Sequence, residues 1–91
     1  MINKNNYEII LSNEADYGLF NNIVKILKND PDIKLIKYTD GLDEKYYDFK
    51  FQDKEFCLHL QHYLGIVLIT NNLRMKIVLK RIADNIVDKL A

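Results

Sequence analysis

Three side chains in this chain are of the types that bind metals or attack carbonyls, and they lie close together. Cys57, His59 and His62 fall within six residues. On a strand, Cys57, His59 and Gln61 share one face, while His62 belongs to the other until the chain turns. A structural zinc site needs four convergent ligands. Asp48, on the preceding alternating segment and on the same expected face, could supply a carboxylate. No second cysteine pair and no His-x-x-x-His spacing completes the set, so no metal site is expected. Cys57 and His59 could also be a thiol and its base, at about 6.5–7 Å between Cα atoms. Nothing in the sequence marks an oxyanion hole, a nucleophile elbow or a third orienting group. The plainer reading is a polar stripe on an open sheet face, and no catalytic residue is assigned.

Glycines and aromatics are equally spare. Gly18, Gly41 and Gly65 are isolated, so neither a phosphate-cradling loop nor a dinucleotide fingerprint is present and no cofactor is expected. Tyr46, with Lys50 and His59 on one face, could stack a nucleic-acid base as some four-stranded sheets do. Asp48 stands between them and would repel phosphate, so nucleic acid is not the expected partner.

These residues must be positioned by a small set of elements. Tyr7-Glu8-Ile9-Ile10-Leu11 reads as a short strand whose lack of alternation points to burial on both faces. Ser12 or Asn13 can cap the helix that follows, with Glu14 and Asp16 in its first turn. Ala15, Leu19, Ile23, Ile26 and Leu27 recur at helical spacing, widened by Phe20 and Val24, until Asn29-Asp30-Pro31 ends the helix. A strand at Ile33 to Tyr38 leads into the turn signal Thr39-Asp40-Gly41 and a loop through Lys45. The cleanest alternation comes next. Tyr47, Phe49 and Phe51 face one way; Tyr46, Asp48 and Lys50 face the other. Gln52-Asp53-Lys54 reverses the chain into Phe56, Leu58 and Leu60, inward again, and Ile66-Val67-Leu68-Ile69-Thr70 supplies a last strand. A terminal helix opens near Asn71-Asn72. Its Met75, Val78, Leu79, Ile82, Ala83, Ile86 and Leu90 span an arc of about 140°, with Ile77 out of register. The expected fold is therefore α+β, one domain over residues 1–91, in the order β-α-β-β-β-β-α. Both helices should lie on one face of a mostly antiparallel sheet.

Composition agrees with a single folded domain. The 91 residues are 48% hydrophobic with three Gly and one Pro, too apolar for disorder. Thirteen basic residues balance thirteen acidic ones, which argues against general attraction to nucleic acid. One cysteine allows no internal disulfide. No apolar run approaches the 18 or so residues of a membrane span, and Met1-Ile2-Asn3-Lys4-Asn5-Asn6 has no signal-peptide character. The cytosol is the expected compartment, with no membrane partner. Charge is nonetheless segregated. Residues 40–55 carry six acids (Asp40, Asp43, Glu44, Asp48, Asp53, Glu55) against three lysines, and residues 71–91 carry five bases against two acids. Such an acidic edge is suited to meet a basic partner.

The stretch Leu42-Asp43-Glu44-Lys45-Tyr46-Tyr47-Asp48-Phe49, followed by Phe56-Cys57-Leu58-His59-Leu60-Gln61-His62-Tyr63-Leu64-Gly65-Ile66, resembles small immunity proteins encoded beside bacterial polymorphic toxins, including those of contact-dependent growth inhibition. The resemblance covers about a third of the chain. It implies a non-catalytic cytosolic domain that binds a cognate toxin domain, often at or near its active site. The zero net charge departs from the acidic balance common among immunity proteins for nucleases, which points away from a nuclease target. The alternative is a regulatory or structural interaction module, homodimeric through an exposed sheet face or edge. For a partner, the expected surface is Asp40, Asp43 and Glu44 in the loop, Tyr46 and Asp48 on the outward face of the next strand, and His59 and Gln61 across the hairpin. In it, Tyr46 is the aromatic anchor and the carboxylates give steering.

Overall fold

A computed structural model describes residues 6–91. Its elements are β1 (Tyr7–Ser12), α1 (Tyr17–Lys28), β2 (Ile33–Asp40), β3 (Glu44–Phe51), β4 (Lys54–Gln61), β5 (Gly65–Thr70), a single 3-10 turn (Leu73–Met75) and α2 (Lys76–Leu90). The expected order and class hold. The strands form one antiparallel sheet in the order β1-β5-β4-β3-β2, so a four-strand meander is completed at its far edge by the first strand.

The helices form for local reasons. Asp16, not Ser12 or Asn13, caps α1, its Oδ1 accepting from the Leu19 N–H at 3.0 Å. Ser12 instead ends β1, its hydroxyl exchanging hydrogen bonds with the Glu14 backbone. Glu14 and Asp16 therefore precede the first turn. Phe20, Ile23, Val24 and Leu27, at spacings of three and four, are the buried face of α1. At the other end, Asn72 accepts from the Arg74 N–H at 3.0 Å and opens the turn into α2. The Thr70 hydroxyl fixes that junction, donating to the Glu55 carbonyl at 2.9 Å and accepting from the Asn72 N–H. Met75, Leu79, Ile82, Ala83 and Ile86 then point into the core, and Ile77 is exposed as its register requires.

Both helices lie on the same side of the sheet. They touch each other, with α1 over β2 and α2 over β1 and β5. Between helices and sheet lie Phe49, Phe56, Leu58, Leu60, Ile66 and Leu68, all buried. Tyr47 and Phe51, expected inward, do face the core but remain half-buried, because β3 lies next to the edge strand.

Two expectations are corrected at the margins. The apolar run of β1 is an edge strand rather than a two-sided buried one, and Ile10 is 64% exposed. The loop before β3 is shorter than expected, because Asp40 ends β2 and Glu44 opens β3. Both edge strands carry a register shift, between Ile10 and Ser12 in β1 and between Leu35 and Lys37 in β2. Such bulges twist an edge away from further pairing.

Gly65 opens β5 with φ near +101°, and a Cβ there would collide with the Ser12 carbonyl. Glycine is required on both counts. Gly65→Ala should cost about 3 kcal/mol or more, while Leu58→Ala, which empties the middle of the core, should cost roughly 2–5 kcal/mol. Urea unfolding of both variants checks the sheet phase; unchanged midpoints would contradict it.

Candidate functional site

Strand alternation and antiparallel register assemble the site on the face that carries no helix. Across β3 and β4, Glu44 lies opposite Gln61, Tyr46 opposite His59, and Asp48 opposite Cys57. All six point away from the core. The sequence reading of Glu44, Tyr46, Asp48, His59 and Gln61 as one surface is thus correct in direction. Asp40 does not join them. It pairs across β2–β3 with Lys45, whose ammonium lies 3.9 Å from its carboxylate. Lys45 shares the inward phase of Tyr47, which puts Asp40 on the helix-bearing side. Asp43 is exposed in the turn between β2 and β3.

His59 departs from expectation. It faces outward on a sheet without a helix, yet only 6% of it is exposed. The Tyr46 ring stacks on it, with centroids 4.2 Å apart and planes 13° from parallel, and Val67 is its neighbour on β5. An imidazole sandwiched between a tyrosine and a valine has lost water without gaining a full partner. Among the described residues its Nε2 has no hydrogen-bond partner; Glu44 Oε1 stands 3.7 Å away. That is beyond hydrogen-bond length. Burial pulls the His59 pKa below its ordinary 6.5, and the Glu44 and Glu8 carboxylates only partly oppose this. The other oxygen of Glu44 accepts from the Tyr46 hydroxyl at 2.8 Å. Burial and that bond push the Tyr46 phenol up to about 12.

The thiol is subdued as well. Burial, reinforced by the adjacent Asp48 carboxylate, pushes Cys57 up to about 12, so it is protonated at neutral pH. That disfavours the thiolate nucleophile considered from the sequence. Among the described residues no three His, Cys, Asp or Glu side chains converge on a metal position. His62 stands apart in the β4–β5 turn, exposed, with its ring edge on to Tyr63.

The sequence reading missed the apolar residues of the two turns. The His62 N–H donates to the Asp43 carbonyl at 3.0 Å, which ties the β4–β5 turn to the β2–β3 turn. Leu42, fully exposed, and Tyr63 and Leu64, 81% and 56% exposed, are thereby gathered at one end of the sheet. Leu42, Tyr63, Asp43 and Glu44 share one hollow, and Leu64 borders the groove over His59. The signal that could have found them is the presence of large apolar residues at turn positions, where solvation favours polar ones.

A family model described as a protein of unknown function, DUF3630, matches residues 1–83. The chain belongs to the DUF3630 family. The DUF3630 match runs through every strand, α1 and the first half of α2, so it includes the whole outward face. No curated protein and no solved structure matches the chain. Among the described residues, no helix is long and apolar enough to cross a membrane.

Two chemical outcomes follow from this geometry. Because the folded pKa of His59 lies below the unfolded value, the unfolded chain binds the extra proton first. His59 therefore contributes no penalty above about pH 6.5 and destabilises the fold progressively as pH falls toward its folded pKa. Urea midpoints of the wild type should drop over that range more steeply than those of His59→Gln. Alkylation of Cys57 by iodoacetamide near pH 8 should run at least about tenfold slower in the folded chain than in the unfolded one. Equal rates would mean that the thiol is not desolvated.

Proposed function

We propose that this DUF3630 protein is a non-catalytic binding module that engages a protein through the two joined turns and the helix-free face beside them. One observation carries the reading. Leu42, Tyr63 and Leu64 are held out in solvent next to Asp43 and Glu44, an apolar patch bordered by carboxylates. Exposed aromatic and aliphatic side chains supply buried area on association, and surrounding acids steer a basic partner into place. Nucleic acid fits less well, since the register puts Glu8, Glu44, Asp48 and Glu55 on this face against Lys34, Lys37 and Lys50, which leaves no net positive charge to meet phosphates.

The resemblance to immunity proteins makes a cognate bacterial toxin domain the proposed partner class, and the cytosol the proposed compartment. A specific observation favours the alternative of a homodimeric interaction module. Leu35, Ile36 and Tyr38 on the β2 edge are each more than two-fifths exposed. A second copy packed against these side chains, without extending the ladder past the bulge, would cover them. Sedimentation at rising concentration separates the two: a dimer lost in Ile36→Lys supports the alternative, and a monomer throughout removes it.

The first reading requires that a toxin domain be encoded beside this chain, and co-expression with such a domain is its test. Survival that depends on this chain supports it, and toxicity unaffected by the chain contradicts it. On a partner so demonstrated, the double change Asp43→Lys and Glu44→Gln, which keeps an acceptor for the Tyr46 hydroxyl, should leave the melting temperature nearly unchanged and slow association, most at low salt. Tyr63→Ala should chiefly speed dissociation, at a cost of about 2 kcal/mol. Wild-type kinetics in both variants would move the interface elsewhere, to the basic side formed by Arg74 in the 3-10 turn and Arg81 on α2.

A further inference from the structure

Beside the joined turns the outward face sinks into a groove of about 540 Å³ over β3, β4 and β5. Its floor and walls include Glu44, Tyr46, His59, Gln61, Leu64 and Ile69. Among the described residues that line it, Glu44 alone carries a charge, and no lysine or arginine neutralises it there. The His59 side chain is more than nine-tenths buried, and its Nε2 is an orphan. A buried polar atom left unpaired costs on the order of 1–3 kcal/mol, a cost that a ligand supplying the missing hydrogen bond would relieve.

The two unfilled acceptors define the ligand. Glu44 Oε1 and His59 Nε2 stand 3.7 Å apart, too far to bond to each other; Nε2 has almost no accessible surface, so a forked donor that takes both must displace the side chains packed over it. In the neutral imidazole with its proton on Nδ1, Nε2 offers a lone pair. The surrounding surface is flat and aromatic on one side, from the Tyr46–His59 stack, and aliphatic on the other, from Leu64 and Ile69. A planar cation with several in-plane donors fits both features, and an aliphatic stem would cover Leu64 and Ile69. A compact ammonium would match the charge but not the plane.

We propose that this groove is a guanidinium site, filled by an arginine side chain of the protein partner, with Glu44 Oε1 and His59 Nε2 as its acceptors. The proposal rests on the binding-module reading for its source of arginine. The pocket itself is testable without any partner. Titration of N-acetyl-arginine methylamide into the full chain, followed through the His59 imidazole resonances, should give a saturable shift with millimolar affinity. The citrulline analogue, equal in shape and uncharged, should bind at least about tenfold more weakly, and so should the arginine probe to Glu44→Gln. Glu44→Gln keeps its acceptor for the Tyr46 hydroxyl, so it should stay folded; Lys50→Gln, on the same strand and outside the groove, should leave the affinity unchanged. No saturable shift up to about 100 mM probe, or equal affinity for the citrulline analogue, would overturn the guanidinium site. That failure would leave the turn surface standing, whereas wild-type partner binding by the Asp43, Glu44 and Tyr63 variants would remove both the turn surface and the partner's arginine as occupant, and leave only the groove's binding of the free probe intact.

Discussion

Two helices can cover only one face of this sheet, and most of what distinguishes the molecule follows from that. Five strands make four gaps of about 4.8 Å, a width near 19 Å, which two helices about 10 Å across just fill. The inner face is consequently a complete core built from Phe49, Phe56, Leu58, Leu60, Ile66 and Leu68. Among the described residues no helix covers the outer face, which satisfies itself side chain by side chain. It does so by cross-strand pairing, with Tyr46 on His59 and Asp48 beside Cys57. The groups that look reactive in the sequence are those caught in this improvised cover. Desolvation holds the thiol protonated and pulls the His59 pKa down, so both side chains are uncharged at neutral pH.

Legibility in the sequence followed the strength of local periodicity. β3 and β4 were readable because each alternates over a whole strand, and a half-buried strand has no other way to be written. The α2 stripe was readable for the corresponding reason at helical period. β1 was misjudged because three consecutive apolar residues, Ile9 to Leu11, carry no phase; only the sheet order reveals that one side of the strand has no neighbour. The outward direction of Glu44, Tyr46, Asp48 and Gln61 came from alternation alone. The burial of His59 could not, since it depends on which residue the register places across from it on each flanking strand. Asp40 was grouped with the other acids by proximity in sequence, while the register puts it on the opposite side.

The turn patch illustrates a third level. Leu42 and the Tyr63–Leu64 pair are about 21 residues apart in the chain and belong to different connections. A single backbone hydrogen bond, from His62 to Asp43, brings them side by side. No periodicity announces such a contact. It arises because β3 and β4 are equal in length and fully paired, so the turns that flank them emerge at the same end.

The position of β1 has a temporal side. It is the first strand to be synthesised, yet it pairs only with the last one, Tyr7 lying opposite Thr70. At ribosomal rates of roughly 5–20 residues per second, β1 waits about 3–12 seconds for that partner to be made. Meanwhile the meander can begin to form from neighbouring hairpins, whose loops are short and cheap to close. Until β5 arrives, Ile9, Ile10 and Leu11 are an unpaired apolar strand on a nascent chain, the kind of segment that chaperones hold and that aggregates when they do not. The topology thus makes the N-terminal strand the closing piece of the sheet, and the interval before closure the period in which this small protein is most exposed to misassembly.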